Sequence, residues 1–255
     1  IWMSSNYGEG LVRVDMEDNG DPVFIKFEDE EFEDATIKAV YRDKEGYLWI
    51  STRTIGVYRV RLNNQNQPIE KINISDREKA DILSMNYALS FLEDEFGNVW
   101  IATFGGGLVK TRLPKKFKGE YQFEYYRKRD GLSNDAVYSL LMDNTNRIWM
   151  STDEGLCNFD PTSKTFTRYN MLDGLQNNNF RDWSVWQNNE GIMYFGGADG
   201  LTFFNPAEIL KTKRQGQVRI TKFIVAGKEQ TIEKYTSFDG QKLDPLILDP
   251  ENRAV

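Results

Sequence analysis

Residues 43–52 read "DKEGYLWIST". The phrase returns as "DEFGNVWIAT" at 94–103 and as "DNTNRIWMST" at 143–152. In each copy an aspartate comes first (Asp43, Asp94, Asp143), a turn former three places later (Gly46, Gly97, Asn146), and a tryptophan six places later (Trp49, Trp100, Trp149). The aspartate suits the start of a tight turn, because its short carboxylate accepts bonds from the backbone ahead of it. Glycine suits the left-handed residue that closes a type I turn with a bulge, and asparagine tolerates positive φ better than most residues. Each copy therefore predicts a hairpin.

The flanks agree. "IKAVYRD" and "AVYSLLMD" lead into the turn, rich in aliphatic, β-branched and aromatic residues. "YLWIST" and "RIWMST" leave it, and "GVYRVRL", "GLVKTRL" and "GLCNFDP" supply a third alternating strand. "FEYYRKR" and "FTRYN" supply a fourth, polar on one side and suited to an outer edge. "DGLSND" (130–135) and "DGLQNNN" (173–179) carry the chain to the next unit.

Aligned on the aromatic residue, Trp2, Trp49, Trp100, Trp149 and Tyr194 lie 47, 51, 49 and 45 residues apart. The fifth unit writes its turn with Asn188 and Gly191. Repeats of this length with four short strands each are the signature of propeller blades. The expected fold is all-β: a partial β-propeller of four-stranded antiparallel blades over 1–212. Each repeat tryptophan is expected to pack between blades. Trp2 falls in a second strand, so the first blade is expected to be truncated, and the last to end near Asn205 after "GLTFFNP". Asn205 and Pro206 read as a cap and first helical residue. A linker, "KTKRQGQ" (211–217), leads to "VRITKFIVAGKEQ" (218–230), which reads as a strand of a second, incomplete β domain over 213–255. The segment 73–86 is an insertion beyond the minimal repeat, and the basic run "LPKKFK" (113–118) reads as a solvated hairpin tip.

Composition narrows the function. Among 255 residues there is no histidine, which removes histidine-based catalysis and the commonest metal ligand. The net charge of −7 disfavours nucleic acid, whose binding relies on clustered Lys and Arg. No apolar run approaches the about 20 residues that span a bilayer. Cys157, the single cysteine, reads as a packed strand thiol.

The repeat resembles the two-component regulator propeller repeat, on "IKAVYRDKEGYLWISTRTIGV" and "ALSFLEDEFGNVWIATFGGGL". "YFGG" and "GLTFFNP" resemble the final blade of such propellers, and "VRITKFIVAGKEQ" resembles the first strand of the Ig-like Y_Y_Y domain that follows it. The second unit departs from the pattern, with "TRTIGV" where paired glycines are usual. The resemblance implies part of the periplasmic sensor region of a hybrid two-component system. In that family a downstream membrane helix, a histidine kinase, a receiver and often an AraC-type DNA-binding domain follow, and the ligands are commonly oligosaccharides. It implies signalling to transcription of glycan-use genes, a homodimer in the full-length protein, no catalysis by this segment, and neither cofactor nor metal.

Ligand contacts do not transfer by motif. They are sought where the loops between second and third strands, and those joining blades, emerge on one face. The first set offers Tyr7, Arg53, Phe104, Asp153, Glu154 and Asp199; the second offers Asn134, Asn178, Asn179, Arg181 and Trp183. Sugars favour aromatic faces and planar polar groups, yet Asn and Asp are also plain turn formers. A protein-interaction scaffold stays open, although the G-H…W-D signature of WD repeats needs histidine. A propeller glycosidase or lyase stays open too, since paired carboxylates suffice for glycoside hydrolysis. The sialidase Asp-box is a poor match: it places Gly two and Trp five residues after Asp, against three and six here.

Overall fold

The computed structural model describes residues 1–4, 10–75, 87–114, 116–209 and the short strands at 224–225 and 228–229. The chain divides into two compact units, 1–210 and 211–255.

The first unit is a propeller arc of five antiparallel sheets, each a simple meander. Blade one holds β1 (Trp2–Ser4), β2 (Leu11–Met16) and β3 (Pro22–Lys26). Blade two holds β4 (Ile37–Arg42), β5 (Leu48–Thr52), β6 (Val57–Leu62) and β7 (Pro68–Asn73). Blade three holds β8 (Ala88–Glu93), β9 (Asn98–Thr103), β10 (Gly107–Arg112) and β11 (Phe123–Tyr126). Blade four holds β12 (Val137–Met142), β13 (Ile148–Thr152), β14 (Gly155–Asp160) and β15 (Thr165–Tyr169). Blade five holds β16 (Phe180–Gln187), β17 (Met193–Gly197) and β18 (Gly200–Phe204). The first and last sheets have three strands each.

The repeated phrase forms the hairpin between first and second strands. Gly46, Gly97 and Asn146 have φ of 89°, 75° and 60°. The aspartate does more than start the turn. In blade two one Asp43 carboxylate oxygen accepts from the Tyr47 amide at 2.9 Å, and the other accepts from the Trp49 indole Nε1 at 2.9 Å. Asp94 holds Asn98 N and Trp100 Nε1 in the same way, both at 2.9 Å. Asp143 holds Arg147 N at 3.1 Å and Trp149 Nε1 at 2.9 Å. An indole sunk in apolar packing needs an acceptor for its N–H, and the carboxylate six residues earlier is that acceptor. Blade five lacks the indole: Tyr194 takes its place, and Asn188 serves the turn alone, accepting from Glu190 N and Ile192 N.

The core lies between blades. Trp49 packs with Ala88, Phe91, Val99 and Ile101 of the next blade. Trp100 packs with Val137, Leu140, Ile148 and Phe159. Trp149 packs with Phe180, Met193 and Phe195. Trp2 packs against the cluster that holds Ile37, Leu48 and Ile50. All three indoles of the complete repeats are at most 1% exposed. Truncating such a side chain to alanine costs about 3–5 kcal/mol. In blade five the corresponding row, Trp186, Tyr194 and Phe203, is in ring-to-ring contact, yet Trp186 is 61% and Phe203 65% exposed.

Two local findings go beyond the sequence reading. A four-residue helix, α1 (Glu30–Glu33), precedes β4; Asp29 caps it by accepting from Glu31 N, and Phe32 is buried beneath it. The run at 113–118 is not wholly solvated: Phe117 stacks on Tyr47 at 5.1 Å. The two rings help cover Arg59, whose buried guanidinium donates to Asp43 and Glu45. Asn205 does cap a helix, α2 (Pro206–Ile209), by accepting from Ala207 N.

In the second unit, β19 (Ile224–Val225) pairs antiparallel with β20 (Lys228–Glu229). Otherwise the residues on which the Ig-like reading rests, and most of the 73–86 insertion, lie outside the described residues.

Candidate functional site

The first strands β4, β8, β12 and β16 stand side by side around the axis of the arc. Each carries an irregularity at the same end. The pairing register slips between Ile37 and Ala39, between Ala88 and Ser90, and between Val137 and Ser139. In β16 it slips over the longer stretch from Phe180 to Val185. A bulge leaves one residue unpaired and re-aims its side chain. The residues so placed are Lys38, Leu89, Tyr138 and the group 181–184. All lie at the end where second strands turn into third strands.

There the side chains gather. Tyr87 and Phe104 stack at 5.3 Å with 4° between their planes, and Phe104 meets Tyr138 at 6.4 Å. The Tyr138 hydroxyl donates to Asp153 Oδ1 at 2.7 Å. Desolvation first, then Asp153, pushes its phenol well above the usual range, so it is a neutral donor. Asp182 and Arg181 lie near enough to act on it as well. The Lys38 ammonium sits 5.4 Å from the Trp183 ring and 5.7 Å from Tyr87. The Trp183 indole spans from blade five to blade two and donates to the Lys38 carbonyl at 2.6 Å. Trp183 has φ of 55°, unusual for a bulky residue.

Below Trp183 is a cavity of about 190 Å³, walled by Ala39, Tyr41, Leu89, Phe91, Ser139 and Val185. Ser139 Oγ is buried and has no hydrogen-bond partner.

Of the loop residues chosen from sequence, Phe104, Asp153 and Arg181 gather around Tyr138, and Trp183 alone of the four lines the cavity. Others are engaged in the loops themselves. Asn134 and Lys128 both donate to Glu154, and the Lys128 bond holds the Glu154 carboxyl below its ordinary value. Asn178 Oδ1 accepts from Met171 N. The Asn179 carbonyl accepts from Ala198 N. Asp199 accepts from Asn177 Nδ2. Arg53 is exposed, its amide bonded to Thr36 O. Tyr7 lies outside the described residues. Sequence reasoning missed Lys38, Tyr87, Tyr138 and Ser139; the strands that carry three of them read as unbroken alternation. The site offers aromatic faces, a cation, carboxylates and a phenol oxygen that can still accept. Among the described residues no group of acidic or cysteine side chains is placed to hold a metal ion.

The sequence profile "two component regulator propeller" matches residues 31–54, 82–105 and 131–154, one segment in each complete blade. These three segments are similar to the two-component regulator propeller repeat. The chain is 26% identical over 236 residues to histidine kinase P4 of Formosa agariphila. That match takes in 91% of this chain and 16% of the relative, so the chain spans about a sixth of the curated protein it resembles. Among solved structures it is similar to the extracellular domain of hybrid two component system BT4673 from B. thetaiotaomicron. The TM-score is 0.57 at 19% identity, over 81% of this chain and 28% of that one. Virginiamycin B lyase from Staphylococcus aureus shares the fold at a TM-score of 0.51 and 11% identity, over 80% of this chain and 65% of that one. Such distant likenesses show the propeller fold and leave function to the site.

Proposed function

We propose that this chain is part of the extracytoplasmic, periplasmic sensing region of a hybrid two-component system, and that the face bearing the bulges recognises an oligosaccharide. The observation that carries the reading is the gathering of Phe104, Tyr138, Asp153, Arg181 and Trp183 at the bulged ends of the first strands. Stacked rings match the apolar faces of sugars, and fixed polar groups match their hydroxyls. A sensor needs different affinity for its ligand in two signalling states. In this reading a downstream membrane helix and histidine kinase, working as a homodimer, carry the shift to transcription of glycan-use genes.

The segment binds without turnover. The repeat carboxylates Asp43, Asp94 and Asp143 are buried and bonded to indoles, out of reach of a substrate. Calorimetric titration with an oligosaccharide panel, paired with a cleavage assay on each sugar, tests this. Saturable binding with no product supports the sensor. Steady release of product defeats the binding-only reading.

A further inference from the structure

We propose that the mouth of the central cavity is a subsite for one terminal sugar ring, taken end-on, with Trp183 as its movable stacking platform. This rests on the oligosaccharide reading above and names the part of the ligand that the site reads. Three observations carry it.

The first is size. Pockets that enclose a drug-sized ligand run to about 300–1,000 Å³; this cavity is about 190 Å³. It suits a single ring, with the rest of a glycan left outside.

The second is polarity. The cavity wall is mainly aliphatic and aromatic, which suits the C–H face of a sugar. Within it Ser139 Oγ is buried and unpartnered. A buried hydroxyl without a partner is costly, and a ring hydroxyl reaching the cavity would satisfy it.

The third is the roof. Trp183 lines the cavity, and its indole N–H is tied to Lys38 O across the gap between blade five and blade two. Its backbone is in the left-handed region, which a bulky side chain rarely adopts. Backbone strain of this kind clusters at ligand clamps and switches. Swinging the indole aside exposes the space beneath it and frees the Lys38 carbonyl to accept from a sugar hydroxyl. The displaced indole then lies against the ring that replaced it. Because Trp183 belongs to blade five and Lys38 to blade two, admission of the ring exchanges a contact between two blades for a contact with ligand.

The test uses the full chain and gluco-, xylo-, manno- and galacto-oligosaccharides of two to six rings. At least one series is expected to bind, with affinity levelling off by three rings. Ligand should shield a half-exposed tryptophan from acrylamide, and that shielding should vanish in Trp183→Ala. Trp183→Ala and the cavity-filling Ser139→Val should each weaken binding about tenfold or more, with unfolding midpoints near that of the parent. Shielding in the parent chain gives a readout if a variant fails to fold. Undiminished affinity in both variants, or affinity climbing with every ring to six, overturns the end-on subsite and leaves the sensor reading standing. No binding by any series overturns the subsite and the oligosaccharide reading together.

Discussion

Each repeat aspartate splits its work between two oxygens, one for the turn backbone and one for the indole six residues on. Asp94→Ala therefore strands a buried indole N–H along with turn amides. Leaving such donors unsatisfied costs about 1–3 kcal/mol each, so a loss of about 2 kcal/mol or more is expected in urea unfolding. The equivalent change at Asn188, which has no indole to serve, should cost less. The spacing of Asp, Gly and Trp was legible in the sequence, but the bond between first and last was not, because it depends on how the second strand twists over the turn. One trace of it was present: where the tryptophan becomes Tyr194, the aspartate becomes Asn188. Cys157 makes a second case. Burial pushes its thiol up to about 11, above its ordinary 9.0. The native state thus holds that proton more tightly than the unfolded chain does. The group's contribution is complete below pH 9 and falls away as the pH rises from 9 through 11. At pH 8 a thiol reagent should leave the folded chain unlabelled and label it on denaturation; rapid labelling of the native protein would refute the buried, protonated thiol.

At the scale of the strand, two kinds of glycine that look alike in sequence separate by their surroundings. Gly97 and Gly107 both have positive φ. A methyl group at Gly97 meets open space, whereas at Gly107 it would lie 2.2 Å from the Tyr126 carbonyl oxygen. Gly97→Ala should cost about 1–2 kcal/mol, the conformational penalty alone. Gly107→Ala must also push β10 from β11, so its melting temperature should fall clearly further; equal losses would mean that the outer strand yields freely. The bulges that build the site belong to this scale as well. "IKAVYRD" and "AVYSLLMD" revealed strands but no bulge, since a bulge is a property of register between two strands and not of either strand's pattern. For that reason Phe104 and Trp183, exposed aromatics beside the turns, drew notice in the sequence, while Lys38 and Tyr138 were hidden by the strand pattern. Asn178 shows the amide of a loop asparagine bonded within its own loop, where its Oδ1 accepts from Met171 N.

Over the whole arc, the row of Trp186, Tyr194 and Phe203 is the counterpart of the rows that bury Trp49, Trp100 and Trp149 elsewhere. A continuous exposed aromatic patch favours association. The chain is expected to self-associate at high concentration, and Trp186→Ser with Phe203→Ser should keep it monomeric in sedimentation without lowering its thermal midpoint. Unchanged self-association would place the sticky surface elsewhere. The Asp–Trp clasp also bears on how the arc assembles. It ties residues six apart, so a hairpin can close on its own before any neighbouring blade arrives, and only blade-to-blade docking demands long-range search. Blades two, three and four each own one clasped indole proton at a matching place. The exchange of those three protons with solvent deuterium would time the opening of each blade separately, and so reveal whether the arc comes apart as one body or one blade at a time.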